Sequence, residues 1–125
     1  MLEAELRRHA RQPVELLIVD DVAGWASSRQ GNARGNPPAM AITDNASGAW
    51  GILLRRTIDA EWVASIISRI EFGANPNARE GLSTSELFAK HLVLHELAHL
   101  ENGWGQEREN DCDAWAFDKM QSHAI

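Results

Sequence analysis

The chain has a single cysteine, Cys112, and no tyrosine. One cysteine excludes an intramolecular disulfide and points to a reducing compartment, the cytoplasm. The missing tyrosine removes the phenol as a catalytic group anywhere in the chain. No long apolar run exists. The longest stretch, from Val14 to Ala23, is broken by Glu15, Asp20 and Asp21, so no membrane span is expected. The first dozen residues carry Arg7, Arg8 and Arg11 with no apolar segment behind them, which excludes a secretory signal. An excess of positive charge is lacking too. The net charge of −6 argues against general nucleic-acid binding, which needs a basic footprint. No internal repeat or low-complexity tract is visible.

What is present suffices for one folded unit. A chain of 125 residues with a hydrophobic fraction of 44% has the size of a single domain with a core of its own. The residues from Leu2 to Arg11 read as a helix stopped by Pro13. Val14 to Val19 is a short apolar run and a strand candidate. The Gly-, Ser-, Asn- and Pro-rich stretch from Gly24 to Pro38 reads as an exposed loop. Two further strands, Ala39 to Thr43 and Ala49 to Arg56, flank the turn-forming residues Asp44 to Gly48 and predict a hairpin.

Asp59 is placed to cap a helix with apolar residues at Trp62, Val63, Ile66, Ile67 and Ile70. The residues from Gly73 to Leu82 read as a loop. Ser83-Thr84-Ser85-Glu86 has the form of a capping box and opens a helix that Asn102-Gly103 ends. A last helix is expected from Glu107 to Gln121. One helix, three strands and three helices predict an α+β domain spanning residues 1–125, with a three-stranded sheet and helices packed on one face.

The long helix carries His95-Glu96-Leu97-Ala98-His99. Residues four apart on a helix are separated by about 40° around the axis and about 6 Å along it. His95 and His99 can therefore reach one metal ion, and Glu96 stands close enough to accept a proton from a water on it. Zinc suits such a set, because its catalytic sites combine three protein ligands with one open position. The bland alternative is a pair of satisfied core histidines. Leu92, Val93, Leu94 and Leu97 make the surroundings apolar, so that alternative also requires buried polar partners.

A third ligand must come from elsewhere. One large zincin class has Gly three residues, and a third His six residues, after the second His. Asn102 and Gly105 stand there instead, which rejects that class. A carboxylate from the next helix is the other common solution. Glu109 with Asp113, or Glu107 with Asp111, has the spacing for a ligand and an imidazole-orienting partner. Glu109 with Asp113 is preferred, since Cys112, Ala116 and Met120 make that face apolar. Glu107 and Asp111 remain alternatives.

His95-Glu-Leu-Ala-His99 followed by Glu109-x-x-Cys112-Asp113-x-Trp115-Ala116 resembles the ImmA/IrrE-type metallopeptidases, compact gluzincins of bacteria and mobile elements. The resemblance covers residues 83–120. It implies a zincin-like fold, His95, His99 and Glu109 as zinc ligands, and Glu96 as catalytic base. It also implies a protein or peptide substrate, in some members a regulator, bound by strand addition to an edge strand at Ala49 to Leu54. The short spacing from His99 to Glu109 implies that an insertion shaping the family's cleft is missing.

Other residues invite functional readings. His91, Arg108 and His123 are candidates to stabilise an oxyanion, with His91 favoured as a structural neighbour of the site. Cys112 reads as a small buried residue rather than a nucleophile. Trp25 and Trp104 fall in loops that can line a cleft. The function expected is zinc-dependent endopeptidase activity. A zinc-binding sensor or interaction domain of peptidase shape, with weak or no turnover, is the alternative, and a non-peptide hydrolase comes third.

Overall fold

The computed structural model of the protein describes residues 2–22, 38–43, 46–73 and 76–121. Helix α1 (Leu2–His9) precedes strands β1 (Val14–Val19), β2 (Ala39–Thr43) and β3 (Trp50–Arg55). Four helices follow: α2 (Ala60–Gly73), α3 (Ala78–Gly81), α4 (Ser85–Asn102) and α5 (Glu109–Gln121), the last preceded by a 3₁₀ turn over Gln106–Arg108. The chain is therefore α+β with a three-stranded mixed sheet. No described helix is long and apolar enough to cross a membrane. The expected loop at 24–38 falls, except for Pro38, outside the described residues, as do Trp25 and His123.

The sheet order is β1-β3-β2. β2 and β3 form the expected antiparallel pair, from Ala39 opposite Leu54 to Thr43 opposite Trp50. β1 runs parallel to β3 on its other side, from Val14 opposite Trp50 to Val19 opposite Arg55. This corrects the expectation of an edge strand at Ala49 to Leu54: β3 is central, and β2 is an edge. The reason is visible in its burial. Gly51, Ile52, Leu53 and Leu54 are all buried in succession, as in a strand covered on both faces. Ile52 and Leu54 join the core shared with α4, and Leu53, pointing the other way, is buried too.

Because the Arg55 N–H donates to the Pro38 carbonyl, the antiparallel ladder turns the backbone groups of Ala39, Ala41 and Thr43 away from β3. Among the described residues β2 has no strand on that side, and the Ala41 N–H there donates to the Glu96 carboxylate of α4.

Helix α4 starts one residue later than the capping-box reading. The Thr84 hydroxyl, not Ser83, accepts the Leu87 N–H at 3.1 Å, and Leu87 has no carboxylate to reciprocate. The helix ends at Asn102, followed by Gly103 in a left-handed conformation at φ 64, which reverses the chain. The 3₁₀ turn, closed by Arg108 N–H to the Gly105 carbonyl at 3.0 Å, delays α5 to Glu109. Its tighter winding lets the chain return within a few residues. Helix α3 was not expected. It is a single turn, held down by buried Ala78 and Leu82, too short to leave a periodic signal. Helix α4 packs against α1, α5 and the sheet, which accounts for its apolar character on nearly all sides.

Candidate metal centre

His95 and His99 lie on α4, one turn apart, with ring centroids 5.1 Å from each other. Glu109, at the first turn of α5, reaches between them. Its Oε2 is 3.0 Å from His95 Nε2 and its Oε1 is 3.0 Å from His99 Nε2. The other nitrogen of each ring is tied to a group that can only accept. His95 Nδ1–H donates to Asp113 Oδ1 at 2.6 Å, and His99 Nδ1–H donates to the Trp104 carbonyl at 2.8 Å. Both rings are thereby oriented with Nε2 facing the same carboxylate.

Behind this layer stands Asp113, fully buried at 0% exposure. Besides His95 it accepts His91 Nε2–H on Oδ1 at 3.0 Å and Arg69 Nη2 on Oδ2 at 3.2 Å. His91 is buried against Phe117, with ring centroids 4.7 Å apart, and its Nδ1 has no hydrogen-bond partner. It sits beneath the site rather than at its mouth. Glu96 Oε1 accepts the Ala41 N–H of the sheet edge at 2.9 Å, which leaves Oε2 on the side of His95 Nε2, 3.9 Å away.

The protonation pattern follows from these contacts. Burial works against a charged His95, but hydrogen bonds to Asp113 and Glu109 and the nearby charge of Glu96 outweigh it and raise it to about 10. His99 is raised chiefly by its bond to Glu109. Burial favours a neutral Glu109, yet the two imidazoles hold it well below the usual carboxylate range. Asp113 is likewise held down to about 2 by His91 and His95 against its burial. His91 is lowered by burial, and Glu96 is raised by burial. The His95 and His99 Nε2 atoms thus both face the ionised Glu109 carboxylate.

The donor set fits zinc. Each Nε2 lies 3.0 Å from one Glu109 oxygen, Oε2 for His95 and Oε1 for His99, so both rings present their nitrogens to the same carboxylate. Two imidazoles, one carboxylate and hydrogen-bonded Nδ1 atoms are the chemistry such an ion requires. Among the described residues two groupings bring one donor atom of each member within 4.8 Å of one another, His95, His99 and Cys112, and His91, His95 and Asp113; neither includes Glu109. In the latter, the short contacts are hydrogen bonds between fully enclosed groups. In the former, the buried Cys112 thiol is pushed up to about 12 by burial and by Glu109, and its sulfur stands as a further donor beside the two imidazoles.

The structure thus brings His95, His99, Glu109 and Glu96 together, with Asp113 behind. Glu107 is exposed, and Asp111 is exposed and paired with Arg108 at 2.9 Å. Arg108 also lies over the Trp104 ring at 5.7 Å. Sequence reasoning missed Arg69, the Ala41 amide and the Trp104 carbonyl. Nothing local marks the first, and the other two are backbone groups.

Comparison with family models, with curated proteins and with solved structures gives no match to this chain.

Proposed function

We propose that the protein is a zinc-dependent metalloendopeptidase, a minimal gluzincin of zincin-like fold that resembles the ImmA/IrrE type. The observation that carries this reading is Glu109 bridging the Nε2 atoms of His95 and His99 while both Nδ1 atoms are engaged elsewhere. His95, His99 and Glu109 would hold the ion. Zinc, when bound, supplies a Lewis acid that polarises a water and a carbonyl.

The remaining work falls to side chains of this chain. Glu96 takes the proton of the attacking water on Oε2, the oxygen not held by Ala41, and passes it to the leaving amine. Its burial raises its basicity, the direction a general base requires. Strand β2, the edge of the sheet among the described residues, is where an extended protein or peptide segment, such as part of a regulator, would add as a strand. The substrate is protein rather than nucleic acid, in keeping with the net charge of −6. A reducing, cytoplasmic setting accords with a lone buried thiol.

Metal content of the purified protein tests the reading, measured on wild type, Glu109→Gln, Glu107→Gln and Glu96→Gln. Near one zinc per chain is expected in wild type, lost in Glu109→Gln and kept in Glu107→Gln. Glu96→Gln should retain zinc but lose hydrolysis of a quenched peptide library by about 10²-fold or more. A Glu96 variant that keeps full turnover excludes the peptidase mechanism. A wild type that binds zinc without turnover favours the sensor or interaction domain.

A further inference from the structure

Arg69 belongs to α2, outside the two helices that carry the imidazoles and carboxylates, yet its guanidinium touches both carboxylates that set the imidazoles. Nη1 lies 3.4 Å from Glu109 Oε2 and Nη2 lies 3.2 Å from Asp113 Oδ2. Glu109 and Asp113 are one turn apart on α5, about 6 Å along the axis, and a planar fork with separate donors can span them. A lysine, with one nitrogen at its tip, cannot hold both in the same way. The arginine is 46% exposed while Asp113 is 0% exposed. The pair is therefore not a solvated surface contact of negligible effect, because one partner is wholly withdrawn from water.

Charge leads to the same residue. Glu96, Glu109 and Asp113 place three carboxylates around the imidazoles. A divalent cation offsets two of them when the imidazoles are neutral ligands, and Arg69 is placed to offset the third. Resting on the zinc-peptidase reading, we propose that Arg69 is a positioning residue for the metal centre. One guanidinium fixes the third ligand, Glu109, and the carboxylate behind the first ligand, Asp113, in a single arrangement. This makes α2 part of the metal site and not only a packing element.

The test uses the full chain as wild type, Arg69→Gln, Arg69→Lys and Arg69→Ala, with Arg79→Gln as control. Arg79 forms an ion pair of the same kind with Glu71, at 3.1 Å, away from the imidazoles. Zinc affinity is measured by chelator competition, and the ligand field by the visible absorption of the cobalt(II) form. Arg69→Gln should lower zinc affinity about 10–100-fold and alter the cobalt spectrum. Arg69→Lys should recover part of the loss, as should methylguanidinium added to Arg69→Ala, and Arg79→Gln should leave both readouts unchanged. Wild-type binding with an unaltered Arg69→Gln affinity and spectrum overturns the role of Arg69 alone. An equal loss in Arg79→Gln, which would reflect stability only, overturns it as well. A wild-type chain that binds neither metal overturns both this role and the reading on which it rests.

Discussion

Replacing Asp113 by Asn keeps the shape of the side chain and removes its charge, so it isolates the contribution of that charge to both the fold and the metal centre. Asp113 has no exposed surface, and its two oxygens accept from His95, His91 and Arg69 at 2.6, 3.0 and 3.2 Å. An asparagine has one carbonyl oxygen. If that oxygen keeps the two imidazole donors, the amide nitrogen faces the guanidinium, donor against donor. Arg69 loses a charge-assisted bond to a buried partner, and its half-exposed side chain can turn to water, which limits that loss to ~1 kcal/mol. The two imidazole bonds persist, but each loses its ionised acceptor and is weakened to roughly half, which is ~1 kcal/mol each. The metal-free protein should lose roughly 2–3 kcal/mol, and at ~4 °C per kcal/mol for a domain of this size the Tm should fall by roughly 8–12 °C. Asp113→Ala should cost more, since it leaves two buried N–H groups unsatisfied at ~1–3 kcal/mol each. In the zinc form His95 is no longer held by an ionised partner, and affinity should drop ~10–100-fold. Calorimetric melts in chelator and zinc competition measure the two effects. Asp111→Asn, on the exposed side of the same helix, should change neither. An Asp113→Asn protein with wild-type Tm and zinc affinity would refute the argument that Asp113 orients His95.

Zinc binding should release protons at neutral pH, because His95 is raised to about 10 and His99 is raised as well in the metal-free protein. Titration calorimetry in buffers of different ionisation heat should show this, with affinity rising from pH 6 to 9; zero proton release would contradict the charge pattern. Without metal, the His95 contribution to stability is full below its unfolded value of ~6.5 and is lost as pH rises through about 10. The Asp113 contribution is full above ~4 and is lost as pH falls towards about 2. Melts in chelator should therefore show Tm declining between pH 7 and 10.5, and a flat profile would count against it. Thr84→Ala removes the α4 cap and should cost ~1 kcal/mol, or ~4 °C in Tm. It should leave zinc affinity unchanged, since eleven residues of helix, ~16 Å, separate it from His95.

Where local signals decide, the sequence was legible. β1 and β2 begin and end where the apolar runs do, and the stop at Asn102-Gly103 requires only a left-handed residue at that point. The hairpin followed from turn residues between two short runs, and its pairing is antiparallel as such turns dictate. The position of β3 was not legible in the same way, because it depends on a parallel partner 36 residues away in register, Val14 opposite Trp50. Its continuous apolar run, Gly51 to Leu54, was the available clue, since an edge strand with one wet face alternates. The capping box failed by one residue because Ser83 and Thr84 offer equivalent hydroxyls, and only the backbone geometry chooses between them.

At the candidate centre, helical spacing brings His95 and His99 to one side and Glu109 with Asp113 to one side of the next helix. Spacing says nothing of Ala41, whose contribution is an amide that every non-proline residue has, or of Arg69, which arrives from 40 and 44 positions away. His91 shows how the helix itself divides roles along an apparently uniform stripe. Each four-residue step turns by about 40°, so His91 is about 80° round from His99. Side-chain exposure accordingly runs 1%, 6% and 16% from His91 through His95 to His99. The deepest ring hydrogen-bonds Asp113 alone, the middle ring meets Asp113 on one nitrogen and Glu109 on the other, and the outermost meets Glu109 and a loop carbonyl. A third metal ligand on this stripe would need a straight row. The rotation turns His91 into the group that secures Asp113 from below, and Glu109 enters from α5 to meet the Nε2 atoms of the two outer rings.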